Sequence, residues 1–385
     1  MKLVGHARQP GIHDPAACRD AITDEDRHSF EMIVSTDLNE EQIQRVVEPA
    51  QVYPQIEQVL AIHWHPEHIP MALIEQRIEH TFPRKINDLI IPTQHNAVTQ
   101  YGEFMGVEVD CYSAGFNQKV QLLIHFPAEK AERASMLQSM LSYTHKYRST
   151  QLFDLIETII TPRHDRIALA VSRTGADEML LGFVQTNVRK IDALLRERTG
   201  TLPQDALKNK LLRNFFDTLR PLYGDGYIER AQAFVRVVKR IVKAEFPMKY
   251  FYRTEEIIEE ARSFGCGIVV PHPEQFWPIL LAEYDVDGYE VWNPQSRRYS
   301  EFLIDTVARQ NQGPGRRGRR ILIFMGDDTH VGEKVKEPEH QEPAKVAREI
   351  GVQPAWEDPS IRKKLIIARM ERKNVIDEYR QRLIG

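Results

Sequence analysis

Cysteine is scarce in this chain: Cys18, Cys111 and Cys266 are the only three in 385 residues, and no two of them form a CxxC pair. A disulfide framework and a cysteine-ligated zinc ribbon are therefore both excluded. Also missing is any run of about 18 apolar residues, so no membrane-spanning helix and no membrane partner are expected. The opening MKLVGHARQPGIHDP lacks the continuous apolar stretch of a secretory leader. The net charge of −4 leaves no overall basic field to argue for nucleic acid, and no acidic tail argues for disorder. Gly106, Gly115 and Gly326 fall into no GxGxxG or Walker pattern, so nucleotide-cofactor chemistry finds no support. Together these absences lead us to expect a reduced, cytoplasmic setting. They say nothing of oligomeric state.

Histidine is what the chain does have. Of 14, seven (His63, His65, His68, His95, His125, His272 and His330) sit in or directly after apolar, strand-like runs. Those runs are VLAIHWH (59–65), DLIIPTQHN (88–96), GVEVDCY (106–112), QLLIHF (121–126), GIVVPHP (267–273), GYEVWN (288–293) and ILIFMGDD (321–328). Short continuous runs rich in β-branched residues read as strands buried on both faces, the parallel-sheet signature. Helical patterns separate several of them, as in PMALIEQRIEH (70–80) and SEFLIDTVARQ (300–310). That alternation predicts an α/β chain, either a βα barrel or a doubly wound sheet.

Four domain segments are expected. Residues 1–55 form a lead that packs on the main body, with a helix start at Asp37–Glu40. Residues 56–127 and 266–332 form the strand-bearing body, and 128–265 a mostly helical insertion or cap. Within the insertion, ERAQAFVRVVKRIVKAEF (229–246) has apolar residues at helical spacing, and RIALAVSRT (166–174) is read as an added strand. Residues 333–385 are a linker and one final helix, RKKLIIARMERKNVIDEYRQRLI (362–384). No internal repeat of fixed period is found.

The strand ends carry the chemistry. His63 and His65 stand two apart, which points both imidazoles to one side of a strand and lets both reach one metal ion. Glu108 lies inside an otherwise apolar strand, where an unpaired carboxylate would cost several kcal/mol, so a basic side chain or a metal is expected beside it. His95, His125 and His272 each follow or end an apolar run, and Asp328 and His330 are again two apart. For any one of these, a satisfied core histidine or a capping aspartate is the commoner explanation. Their joint recurrence at carboxyl ends is where barrel enzymes assemble active sites.

The series HxH, TQHN, GVEV, LLIHF, VVPHP and GDDTH resembles, in order, the motifs of the PHP (polymerase and histidinol phosphatase) superfamily. The resemblance covers residues 59–127 and 266–332, a little over one third of the chain. It implies a distorted seven-stranded, TIM-like βα barrel and two or three divalent ions, zinc, manganese or iron. By that resemblance His63, His65, Glu108 and Asp328 would hold one ion. Glu108 would bridge to a second held by His125 and His272, and His95 and His330 would hold the third. Two positions depart from the pattern. The ligand beyond HxH has no direct match, with His68 or Glu67 in its place, and Gln94 stands where aspartate is common.

The activity this implies is a metal-dependent phosphoesterase acting on a phosphomonoester or a nucleotide through a metal-activated hydroxide, with no serine or cysteine nucleophile. Arg297 and Arg298 are candidates for a phosphate clamp, or else a solvated pair. The basic loop GPGRRGRR (313–320) reads first as solvated and second as a nucleic-acid contact. Two other readings stay open: an amidohydrolase-like deaminase or amidase, and a non-catalytic PHP-like partner domain.

Overall fold

A computed structural model describes residues 13–15, 18, 20–203, 206–312, 319–338 and 341–385. The chain divides into two compact units, one made of residues up to Asp37 with Lys146–Pro247, the other of Leu38–His145 with Met248–Gly385. The boundaries expected at 55, 127 and 266 thus fall elsewhere, and every candidate ligand lies in the second unit. Most of the loop 313–320 lies outside the described residues; Arg320, within them, pairs with Glu378. No helix among the described residues is long and apolar enough to cross a membrane.

The first unit is helical. Its long members Glu178–Glu197 and Asp225–Glu245 bury Phe183, Val184, Ile191, Phe234 and Val238 against one another's neighbours in a single apolar cluster. RIALAVSRT is not a strand but part of the helix His164–Thr174. Ile167 and Ala170 are buried at helical spacing, and Gly175 closes the helix in the left-handed conformation at φ 65°.

Among the described residues, the second unit holds ten strands. They are β1 (Gln58–Ala61), β2 (Trp64–His65), β3 (Asn87–Ile90), β4 (Thr99–Tyr101), β5 (Phe104–Ser113), β6 (Gln118–Pro127), β7 (Gly267–Val270), β8 (Gly288–Trp292), β9 (Leu322–Met325) and β10 (Thr329–His330). They form one six-stranded sheet, β4-β5-β6-β7-β8-β9, and two parallel pairs, β1-β3 and β2-β10. Only β7, β8 and β9 run parallel within the large sheet; β4 to β7 alternate in direction. The all-parallel expectation fails at β5 and β6, which form a hairpin through a left-handed Asn117 at φ 52°. Parallel neighbours need a crossover of about a dozen residues, and the link here is far shorter.

Sparse backbone hydrogen bonds join the three sheets. Ile91 and Thr93 donate to Ala61 and Trp64, extending β3 along β1, while Glu108 donates to Gln94 and Asn96 to Glu108, tying that segment to β5. At the other edge Asp328 donates to the carbonyl of His63 at 2.9 Å, linking the end of β9 to the end of β1.

The C-terminal helix is two helices, Pro359–Ala368 and Arg372–Ile384, broken at Arg369 with φ 54°. The second packs on the strands. A Cβ at Gly267 would meet the Tyr379 hydroxyl at 2.3 Å and Leu383 Cδ2 at 2.6 Å, so only glycine fits there.

Candidate metal centre

Alternation at the end of β1 sends Trp64 into an apolar cluster with Val59, Ile74 and Phe82, and turns His63 and His65 the other way. Their rings lie 5.4 Å apart, edge to face. His63 Nδ1 is 2.7 Å from Glu290 Oε1 on β8. A carboxylate accepts there, so Nδ1 carries the hydrogen and Nε2 faces inward. That Nε2 is 4.0 Å from Glu108 Oε1 and 3.7 Å from Asp328 Oδ1. His65 Nε2 stands 3.6 Å from Glu108 Oε2 and 3.6 Å from Asp328 Oδ1. These separations exceed a hydrogen bond. His63 Nε2 and both ring nitrogens of His65 are buried with no hydrogen-bond partner.

Around this pair the other groups converge. His95, held by a bridge between its backbone and that of Glu108, pairs closely with the Glu108 carboxylate. His272 Nε2 is 3.8 Å from Glu108 Oε1. His330 Nε2 is 3.5 Å from Asp328 Oδ1, with its Nδ1 3.4 Å from Glu67 Oε1. The rings of His95 and His330 each lie near-parallel to that of His65, at centroid distances of 4.4 and 4.3 Å, and 6.0 Å from one another. Two groups bring one ligand atom each within 4.8 Å of one another: His65, His95 and His330, and His63, His65 and Glu108. Both could hold a metal ion.

Backbone strain gathers at the same place. Of seven described non-glycine residues with positive φ, four are Glu67 (53°), Asn96 (52°), His272 (28°) and Asp328 (48°). Each such conformation costs about 1–3 kcal/mol and persists only where the surroundings over-determine it. Side-chain contacts supply that constraint: Asn96 both donates to Asp110 Oδ2 at 2.7 Å and accepts from the Asp110 N–H at 2.9 Å.

The electrostatics are those of a compact set of opposite charges. Burial pushes the His63 imidazole down, but Glu290, Asp328 and Glu108 together carry it up to about 10. Against burial, Asp328 and Glu67 raise His330 to about 9. For His65, burial and then the neighbouring His330 and His95 press the ring down to about 3. Despite burial, His95 and His272 hold Glu108, and His330 and His65 hold Asp328, well below the usual carboxylate range. Two carboxylates held low thus face the raised imidazoles of His63 and His330 and the depressed ring of His65, and a divalent cation bound there would displace protons from the raised rings.

Not every expected residue joins. His125 does not reach the cluster: its Nε2 lies 3.1 Å from the carbonyl of Ile62 and its Nδ1 2.8 Å from the Tyr379 hydroxyl. The carbonyl can only accept, so Nε2 donates and Nδ1 accepts from the phenol, leaving no lone pair for a metal. Its backbone pairs with Gly106, two residues before Glu108, but these two contacts occupy the ring. Beyond HxH, it is Glu67 that faces His330. Arg297 and Arg298 are exposed on the loop after β8, and the Arg298 guanidinium lies over the Tyr299 ring at 4.6 Å.

Three buried residues that the motifs did not single out complete the site. Glu290 orients His63 with one oxygen and accepts the His272 N–H at 2.9 Å with the other. Gly326 is the residue that admits it, since a Cβ there would lie 1.7 Å from Glu290 Oε1. Arg348 donates to Asp328 Oδ2, and Asp327, which burial raises to about 6, accepts from Gly351 and Gln353. Glu290 sits within the GYEVWN run, where a carboxylate inside an apolar strand was the same signal that marked Glu108. Nothing local marks Arg348.

No family model matches the chain, and no curated protein matches it. A solved structure that it resembles is a presumed metal-dependent phosphoesterase from Bifidobacterium adolescentis, at 16% identity and a TM-score of 0.36, over 83% of this chain and 96% of that one.

Proposed function

We propose that this chain is a metal-dependent hydrolase of the PHP type that cleaves a phosphoester, either a phosphomonoester or a nucleotide. The observation that carries this reading is the set of buried, partnerless ring nitrogens of His63 and His65 placed between two ionised carboxylates. Burying such nitrogens without partners is costly unless a cation completes them. His63, His65, Glu108 and Asp328 would hold one divalent ion, and His95 with His330 another, with His272 at Glu108. Mixed imidazole and carboxylate donors suit zinc, manganese or iron. When bound, such ions supply acidified water and positive charge against phosphoryl oxygens.

The chain's own part is orientation. Glu290 fixes the His63 tautomer, as acidic partners of metal-binding histidines do. The cluster draws on the ends of β1, β7 and β9 and the middle of β5, which favours reading the three sheets as one distorted seven-stranded barrel, closed by the bonds from Glu108 to Gln94 and from Asp328 to His63. Arg297 and Arg298, on the loop after β8, are the proposed contacts for substrate phosphate.

Chelator-stripped protein should fail to hydrolyse p-nitrophenyl phosphate and regain the activity with manganese or zinc, while Asp328→Ala stays inactive and folded. Hydrolysis insensitive to chelator, or retained above about a tenth in Asp328→Ala, would count against the assignment.

A further inference from the structure

Asp328 is held from outside the cluster. Arg348 Nη1 donates to its Oδ2 at 2.8 Å and to its backbone carbonyl at 2.8 Å. Both residues are buried. Gln295 Nε2 donates to the same Oδ2 at 2.7 Å, which leaves Oδ1 for His63, His65 and His330. One guanidinium nitrogen thus bridges the side chain and main chain of a single residue whose φ is 48°. That contact fixes the rotamer and the backbone together.

Arg348 is itself anchored. Its carbonyl accepts from Lys334 Nζ at 2.7 Å, Lys334 pairs with Glu349 at 2.8 Å, and Glu349 pairs with Arg77 on the helix Met71–Thr81. A few residues on, the Gly351 N–H and Gln353 Nε2 reach Asp327 Oδ2 at 2.9 and 3.2 Å. The stretch 348–353 therefore clamps two consecutive aspartates.

We propose that Arg348 is a positioning residue for the metal centre, holding Asp328 with Oδ1 turned to the imidazoles and so setting the affinity for a divalent cation. This rests on the metal reading above. Two effects of opposite sign compete at Arg348. Its positive charge repels a cation, so deletion would tighten binding; its hydrogen bonds fix the ligand, so deletion would loosen it. Fixed geometry wins here, because the guanidinium is already neutralised by the carboxylate oxygen that it holds.

The test is calorimetric titration of chelator-stripped protein with manganese chloride and zinc chloride, with circular dichroism as the check on folding. Arg348→Met should bind about 10–100-fold more weakly than wild type at unchanged helicity, and Arg348→Lys should recover part of the loss by reaching one of the two oxygens. Equal or tighter binding by Arg348→Met would overturn this inference and leave the metal reading standing. Wild-type protein that binds neither ion would overturn both. If the Met variant does not fold, Arg348→Lys decides: weaker binding supports the inference, and equal binding overturns it.

Discussion

His63 and His125 show how the same residue chemistry takes two roles in one unit. His63 gives one nitrogen to Glu290 and keeps the other for the centre; His125 gives both away, to Ile62 and Tyr379. The second arrangement has a consequence for stability. Burial holds the His125 imidazole down at about 3, whereas in an unfolded chain it takes a proton near pH 6.5. Its folded value is depressed, so its contribution is complete above about pH 6.5 and is lost as pH falls toward 3. Urea denaturation of chelator-treated protein should show a loss of stability on acidification that is steeper than in His125→Gln, by about 1.4 kcal/mol per pH unit below pH 6.5. Equal slopes would mean that His125 is already charged in the fold.

Residue types and spacing made His63, His65, His95, Glu108, His272, Asp328 and His330 legible, because a strand's period of two converts sequence distance into direction. Arg348 was not legible. Its contact depends on a return of the chain after an irregular segment, and no local period encodes that. His125 carried the right residue type in the right kind of run. Its two ring nitrogens are taken by Ile62 and Tyr379, residues far from it in sequence, and no local period encodes such contacts.

At the scale of elements, the antiparallel pairing of β5 and β6 has a readable cause. Too few residues separate GVEVDCY from QLLIHF for a crossover helix, and Asn117 supplies a left-handed turn residue. Hairpin signals were present, but the apolar character of both runs suggested a parallel pair. The break at Arg369 carries no such signal, since arginine rarely takes a positive φ. It lets the helix Arg372–Ile384 lie on the strands with Tyr379 and Leu383 buried. Gly267→Ala should therefore lose about 1–3 kcal/mol in denaturant, because the added methyl overlaps both side chains. An unchanged midpoint would mean that the helix does not pack on β7 as described.

For the strand-bearing unit as a whole, the candidate centre sits where the ends of several strands meet the middle of β5. His63 and His65 come from β1 and β2, Asp328 and His330 from the end of β9 and β10, and Glu108 from β5. Ligands drawn from segments so far apart in sequence form a site only once the unit has folded, so a bound cation also stabilises that fold by mass action. The most direct measurement is elemental analysis of purified protein after incubation with manganese or zinc and removal of the excess, beside a His63→Ala, His65→Ala double variant. The account predicts about two divalent ions per wild-type chain and a loss of most of them in the variant. Folded wild-type protein carrying no more metal than the variant would contradict it.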